Sequence, residues 1–291
     1  MHLILPFLSS LLFVTGLLLI KRTANDGVRS LTTLFLSNVF CGLLFSALWM
    51  LGGEPVKPGL LWQPAVLACL YLLGLSLTFI AVQRGDVSLA TPVFGIKVVF
   101  VPLLLAWVWA EPLPTTLWIA AGLAFCGIAT IQGTGQGTRR HVWFTLSLAT
   151  AAAAMYATFD VLVQRWSPVW GTGRLLPLVF WTVALGSLFL VPRVQWEKLR
   201  RPRIAGLLFP GAGCIALQSL GIVFTLAMFG DATRVNIVFA LRGLWGVLLA
   251  WAVARTWGGA EAELSGRQIG QRALGAVMLT AAVTLALASE S

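Results

Sequence analysis

Ten apolar stretches separated by short connections take up most of this chain of 291 residues. Hydrophobic residues make up 58% of the sequence and charged residues only 10%, a balance foreign to soluble domains. Most stretches approach the ~20 residues that a helix needs to span hydrocarbon. The pattern predicts an all-α integral membrane protein with ten transmembrane helices, at roughly 3–20, 31–51, 64–83, 87–109, 114–132, 142–163, 175–192, 204–229, 232–254 and 270–288.

Two cations interrupt the fourth and ninth stretches near their middles. Lys97 and Arg242 are 145 residues apart, and residues 85–97 realign on 230–242 without a gap. A charge at the bilayer centre costs roughly 2.5–3.5 kcal/mol on insertion scales, so such residues usually face a cavity. The duplication predicts a substrate or ion path with a cationic centre.

The same spacing predicts an internal repeat. Residues 1–132 form one half of five helices, residues 142–291 form the other, and a glycine-rich linker spans 133–141. Because five is an odd number, the second half enters the membrane in the opposite direction, which gives two inverted repeats. Such repeats often enclose a midplane site in secondary transporters.

A Gly-Asp pair precedes each of the two cationic helices. Asp86 and Asp231 stand where a side-chain oxygen satisfies a free backbone N–H at a helix start. Helix capping is therefore the role predicted for both.

Acidic residues are scarce in the apolar stretches, and only Asp160, toward the end of helix 6, is expected within the membrane. Two cations then face at most one carboxylate, which leaves positive charge for water, backbone carbonyls or a bound anion. A phosphate or carboxylate ligand suits this centre, since arginine binds such groups in a bidentate manner. Packing against carbonyls at a broken helix is the structural alternative for Lys97 and Arg242.

Aromatic and polar residues surround these charges in the helical register. Phe94 and Phe239 lie one turn before the two cations, and Trp245 lies one turn after Arg242, where it either stacks on the guanidinium or a ligand, or packs. Further candidates either line a cavity or bond helix to helix, and they are Asn38, Tyr71, Tyr156 and Gln218.

The formal net charge of +10 does not indicate nucleic-acid binding, because no soluble basic face accompanies it. Outside the spans, 14 basic residues fall on one side of the predicted membrane and 4 on the other. The positive-inside rule makes the richer side cytoplasmic and places both termini outside.

Metal, cofactor and redox chemistry are not expected. All four cysteines lie in apolar stretches, and the two histidines lie far from them. No acid, base and nucleophile cluster at one depth, so an enzyme is not predicted either.

The region after helix 4 carries a resemblance to a known family. Residues 111–114 read Glu-Pro-Leu-Pro and lead into Trp118, Gly122 and Gly127. With two five-helix halves, this pattern resembles the EamA-type members of the drug/metabolite transporter superfamily. The resemblance implies a ten-helix basket with helices 5 and 10 outside the pathway, and cytoplasmic termini, against the charge count. It also implies an anionic substrate, because the related triose-phosphate branch uses basic residues on helices 4 and 9.

The expected function is a secondary transporter that moves a small organic anion, a phosphate- or carboxylate-bearing metabolite, by alternating access. A broad amino-acid or drug exporter and a flippase for a lipid or polyprenyl phosphate are the alternatives. The expected partners are the anion or lipid phosphate and membrane lipids, with no nucleic acid. The expected setting is a bacterial cytoplasmic (inner) membrane, with the protein as a monomer or weak dimer.

Overall fold

The computed structural model describes residues 2–84, 94–108, 110, 113–132, 139–246, 248–249 and 266–288, and helices are the only regular structure in them. The first half contains α1 (Ile4–Asn25), α2 (Ser30–Ser46), α3 (Trp62–Arg84), α4 (Lys97–Val108) and α5 (Thr115–Gln132). The second half contains α6 (Arg139–Trp170), α7 (Thr172–Ser187), α8 (Pro202–Phe229), α9 (Ala232–Phe239) and α10 (Gly266–Ala288). A single helical turn, Trp196–Leu199, lies between α7 and α8. The predicted linker lies largely outside the described residues, and α6 begins within its last part.

Six helical segments are long and apolar enough to cross a membrane, counted over the described part of the chain. They are Ile4–Asn25, Ser30–Leu51, Pro58–Ala81, Trp143–Trp170, Thr172–Arg193 and Pro202–Phe229. Shorter apolar helices occupy Lys97–Val108, Thr115–Thr130 and Val277–Ala286. The chain is thus an all-helical integral membrane protein. Six predicted spans are found at full length, and a count of ten stays a prediction.

Helices of the first half pair with helices of the second half. The principal pairs are α1 with α8, α3 with α6, α2 with α7, and α5 with α10. Glycines bring the backbones together, since a Cβ on Gly16 of α1 would lie 3.0 Å from the carbonyl oxygen of Gly211 in α8. A Cβ on Gly127 of α5 would lie 2.9 Å from the carbonyl oxygen of Gly275 in α10. Small residues allow this close approach where lipid supplies no hydrophobic drive for association.

Loop contacts join the two halves at opposite ends of the bundle. At one end, the Nζ of Lys198 donates to the carbonyl oxygen of Asp26 at 2.7 Å. At the other end, the backbone N–H of Glu54 donates to the carbonyl oxygen of Trp170 at 3.0 Å. Both ends of the bundle are therefore held by a bond between a loop of one half and a loop or helix end of the other.

Helix 6 is longer than the sequence predicted. The prediction ended it at residue 163 and placed Asp160 toward its end, but α6 continues to Trp170. Pro168 lies inside the helix, and the Ser167 hydroxyl donates to the carbonyl oxygen of Val163 at 2.7 Å. The polar residues after 163 end the apolar run without ending the helix. Asp160 therefore lies well inside α6 and is buried.

Helices 4 and 9 differ from the prediction of continuous helices with a cation in the middle. A 3-10 turn at Phe94–Ile96 precedes α4, so Lys97 is the first residue of that helix. Helix α9 ends at Phe239, a turn follows at residues 240–241, and helix resumes at Arg242. The Leu241 N–H bonds to the carbonyl oxygen of Val238 at 3.1 Å, a contact one residue shorter than an α-helical bond. Hydrophobic periodicity does not register such a local tightening. The start of the predicted helix 4, with Asp86, lies outside the described residues.

Candidate functional site

A buried ion pair joins α4 to α6. The Nζ of Lys97 lies 2.5 Å from the Oδ2 of Asp160, and both side chains are almost fully enclosed. The amide of Asn236, on α9, donates to the same Oδ2 at 2.7 Å. Removal of either ion would leave the other one buried without its counter-charge, so each charge depends on the other. Three helices thus converge on one carboxylate.

Arg242 occupies a different environment. Its Nη2 donates to the carbonyl oxygen of Phe94 at 2.5 Å, while its buried Nε has no hydrogen-bond partner in the part of the chain that the structure describes. The guanidinium lies 4.4 Å from the ring centroid of Phe239 and 5.2 Å from that of Phe13. Where water is excluded, cation–π contacts of this kind offset only part of the cost of burying the charge. No acidic side chain of the described residues lies within ion-pair distance of Arg242.

The charge balance at the centre follows from these contacts. Lys97 and Asp160 neutralise each other, and Arg242 is close enough to interact electrostatically with both. The described centre therefore holds two cations and one carboxylate. One unit of buried positive charge is left without a counter-charge among the described residues, which favours binding of an anion.

Each cation begins a described helical segment, and in both cases tighter or non-helical backbone precedes it. Phe94 opens the 3-10 turn before Lys97, and Phe239 ends α9 before the turn that leads to Arg242. Irregular backbone at membrane depth occurs where it lines a cavity or is buried in protein, as at the turn of residues 240–241. The carbonyl oxygen of Phe94, in the 3-10 turn before Lys97, accepts a hydrogen bond from Arg242. Asp231 at the start of α9 caps the helix as predicted, accepting from the Arg234 N–H at 3.2 Å.

A polar row continues from the ion pair toward α2 and α8. The ring of Tyr156 lies 5.5 Å from the Lys97 Nζ, and the ring of Tyr71 lies 6.2 Å from that of Tyr156. The hydroxyl of Tyr71 lies 2.9 Å from the Ser219 hydroxyl and 3.4 Å from the Cys41 sulfur. The Gln218 amide donates to the Ser219 hydroxyl at 2.8 Å. The row links helices of both halves through the protein interior.

Asn38 is the least satisfied of the predicted residues. It lies on the inward stripe of α2, one turn before Cys41, and is fully buried. Neither its Nδ2 nor its Oδ1 has a hydrogen-bond partner among the described residues. An unsatisfied buried polar group costs about 1–3 kcal/mol, so this amide calls for water or a ligand.

Trp245 is turned toward α1. Its Nε1 donates to the Ser10 hydroxyl at 2.9 Å, and its ring contacts Phe7 edge-on at 5.7 Å. These contacts account for its position by packing between the two halves.

Sequence reasoning missed several residues of the centre. Asn236 was overlooked although it is an amide within an apolar helix, six residues before Arg242. Cys41 was considered only as a small apolar group, and Ser219 and Phe13 were not singled out. Their contacts depend on helix pairing between the halves, which a linear pattern does not show.

Membrane-spanning helices built around a buried charged centre are the architecture of a membrane transporter. Residues 1–132 match the EamA-like transporter family, which confirms the resemblance to the drug/metabolite transporter superfamily. A solved crystal structure of a protein 18% identical in sequence matches with a TM-score of 0.67 over 98% of this chain and 98% of that one. At this identity the match concerns the fold alone. No curated protein matches the chain.

Proposed function

We propose that this transporter moves a small organic anion, bearing a phosphate or carboxylate group, by alternating access. Arg242 carries the proposal, because its buried guanidinium has an unpaired Nε and no acidic partner among the described residues. An anion at this position would supply the missing charge and accept from the free N–H. A guanidinium binds such groups with a geometry that an ammonium does not match.

The proposed transporter is built from two inverted repeats of five helices, with residues 1–132 and 142–291 as the halves. Helical segments that begin at Lys97, after a 3-10 turn, and at Arg242, after the turn at residues 240–241, support the repeat. The pairing of α1 with α8 also has its counterpart in the pairing of α6 with α3. A two-fold relation between the halves places α6 in the position of α1 and α3 in the position of α8. It therefore exchanges these two pairs.

Alternating access is supported by the two loop contacts. The bond from Lys198 to Asp26 and the bond from Glu54 to Trp170 lie at opposite ends of the bundle, because each intervening helix crosses it once. Each contact joins one half to the other. Rocking of the halves would break one contact and preserve the other, which exposes the centre to one side at a time.

We further propose a bacterial inner-membrane location with both termini outside, on the basis of the loop charges. Labelling of cysteines placed at Glu54 and Lys198 in intact cells with an impermeant thiol reagent tests the orientation. Glu54 should react and Lys198 should not; the reverse pattern would place the termini inside.

Uptake into proteoliposomes tests the transport function. The probes are radiolabelled glycerol 3-phosphate, pyruvate and glutamate, measured with the parent protein and with Lys97→Gln and Arg242→Gln. Arg165→Gln serves as the matched control, because it removes an exposed cation from α6. Anion uptake by the parent and the control, and its loss in both centre variants, is expected.

Several results would contradict the proposal. Unchanged uptake in both centre variants would assign Lys97 and Arg242 to packing. Uptake of glutamate but of neither other probe would favour the amino-acid exporter. Scrambling of a fluorescent lipid phosphate without uptake of any soluble probe would favour the flippase.

A further inference from the structure

A polar cavity opens at the end of the bundle that carries the N-terminus. Its volume is about 430 Å³, and it lies among the starts of α1, α5 and α9, the ends of α4 and α8, and the last third of α6. Its polar lining comes from His2, Gln164, Asp231, Thr233 and Arg234. Liquid water takes up ~30 Å³ per molecule, so the cavity is roomy enough for several waters.

The three helices that meet at the Asp160 carboxylate, α4, α6 and α9, also line this cavity. On each of them the cavity residue lies nearer to the N-terminal end of the bundle than the residue of the centre. On α6, Gln164 follows Asp160 by one turn; on α9, Thr233 precedes Asn236 by one turn. On α4, Leu105 follows Lys97 by two turns. One turn of helix advances about 5.4 Å, so the lining residues Gln164 and Thr233 lie about that far along their helices from Asp160 and Asn236.

Thr233 marks the inner end of the cavity. Its side chain is 2% exposed, and its Oγ1 has no hydrogen-bond partner among the described residues. A buried hydroxyl in this state requires a partner, and water in the adjoining cavity would supply one. Such a water would lie within about one helical turn of Asn236, which bonds the Asp160 carboxylate.

Resting on the proposed anion transport, we propose that Asp160 is a proton-binding site loaded through this cavity, and that the transporter is a proton–anion symporter. A proton from cavity water bonds to a carboxylate oxygen of Asp160. The neutral acid releases the Lys97 ammonium, which then binds the substrate anion together with Arg242. Loss of the anion and of the proton on the other side restores the ion pair.

Charge accounting favours this coupling. The empty centre holds Lys97, Arg242 and one carboxylate, for one net positive charge. The loaded centre holds the same two cations, a neutral acid and a monoanion, again for one net positive charge. The buried charge is therefore the same in both forms, and neither form adds a new desolvation cost.

The groups that face Asp160 are Lys97 from α4, Tyr156 from its own helix, Asn236 from α9 and Arg242 beyond it. Farther out, His2, Asp231 and Arg234 line the cavity mouth. Asp160 is the carboxylate that is both buried in the centre and close to the water-accessible cavity. It competes directly with a substrate anion for Lys97.

The test is accumulation of radiolabelled pyruvate and glycerol 3-phosphate in proteoliposomes under an imposed gradient of one pH unit. A 1:1 symport of a proton with pyruvate, a monoanion, is electroneutral and accumulates the probe about tenfold, because one pH unit corresponds to a factor of ten. Glycerol 3-phosphate is largely a dianion at neutral pH, so it reports transport and not this ratio. Asp160→Glu retains an acid and should accumulate the probe, while Asp160→Asn should only equilibrate it. The uptake of radiolabelled glutamate is measured in parallel, and it is expected to show no effect of the pH gradient.

The outcomes separate coupling from transport. Equilibration of a probe by the parent, without accumulation, overturns the proton coupling and leaves the proposed transport intact. Absence of probe movement with the parent overturns both.

Thr233→Val, which keeps shape and removes the hydroxyl, provides a variant with the ion pair preserved. It should slow the initial proton-driven rate and leave the final ratio unchanged, and an unchanged rate contradicts the assigned route.

Discussion

Arg242 and Phe94 are joined by a hydrogen bond of 2.5 Å between Nη2 of the guanidinium and the carbonyl oxygen. Phe239, which aligns with Phe94 in the proposed repeat, has its ring 4.4 Å from the same guanidinium. Arg242 therefore contacts both the 3-10 turn before Lys97 and the last residue of α9. The link orients one edge of the guanidinium and leaves its Nε for another acceptor.

Arg242→Gln is expected to keep the folded protein and to lose anion binding. Removal of a buried unpaired cation removes its desolvation cost, which offsets the lost bond to Phe94. Thermal unfolding in detergent should show a midpoint close to that of the parent without ligand, and no upward shift with glycerol 3-phosphate or pyruvate. A large fall of the midpoint without ligand would show that the guanidinium mainly supports the fold.

The Lys97–Asp160 pair is expected to be strongly coupled in stability. Lys97→Met or Asp160→Asn alone should lower the free energy of unfolding by about 3–5 kcal/mol, since each leaves a buried charge without its partner. The double variant should lose clearly less than the sum of the two. Chemical unfolding of the four proteins measures this coupling. Additive losses would contradict a direct interaction in the folded protein.

Gly173 is expected to tolerate no side chain. A Cβ there would lie 2.3 Å from the carbonyl oxygen of Gly52 and 2.7 Å from that of Leu48, both backbone atoms. Gly173→Ala should destabilise by about 1–3 kcal/mol through overpacking. Gly206→Ala is the matched control on an exposed face of α8, with no atom within 4 Å of the added Cβ. Equal thermal midpoints for the two variants would contradict the close approach of α7 to the end of α2.

Lys198→Met is expected to loosen one end of the bundle. It removes the bond to the Asp26 carbonyl oxygen and leaves the opposite contact between Glu54 and Trp170 in place. A reporter cysteine at the buried residue Ile20 should then react faster with a thiol reagent, in a protein freed of its native cysteines. Arg200→Met, an exposed cation of the same loop, is the control. Equal reaction rates in Lys198→Met and Arg200→Met would show that the bond from Lys198 does not hold this end of the bundle closed.

Trp245→Phe is expected to affect packing and leave ligand response unchanged. The substitution keeps a ring against Phe7 and removes the bond from Nε1 to Ser10. Loss of one such bond costs about 0.5–1.5 kcal/mol. The thermal midpoint should fall slightly, with the anion-induced shift retained. Loss of that shift would assign the indole to substrate binding, as the sequence allowed.

Much of the centre could be predicted because charges stand out in apolar stretches. Lys97, Arg242 and Asp160 are conspicuous for this reason, and the expectation of two cations facing one carboxylate agrees with the structure. Asn236 was missed because an amide carries no charge and resembles a helix-to-helix contact. The break after Phe239 was missed because it contains neither proline nor glycine, so no sequence signal announces it.

The sequence by itself determined the membrane class, most of the helices and the presence of excess positive charge among them. These follow from the cost of exposing polar groups to hydrocarbon, which acts on each segment separately. Only the tertiary structure decided that Asp160 pairs with Lys97 and that Arg242 bonds to Phe94. The reason is geometric: the choice between two similar cations for one carboxylate depends on how the helices pack, and on where each helix breaks.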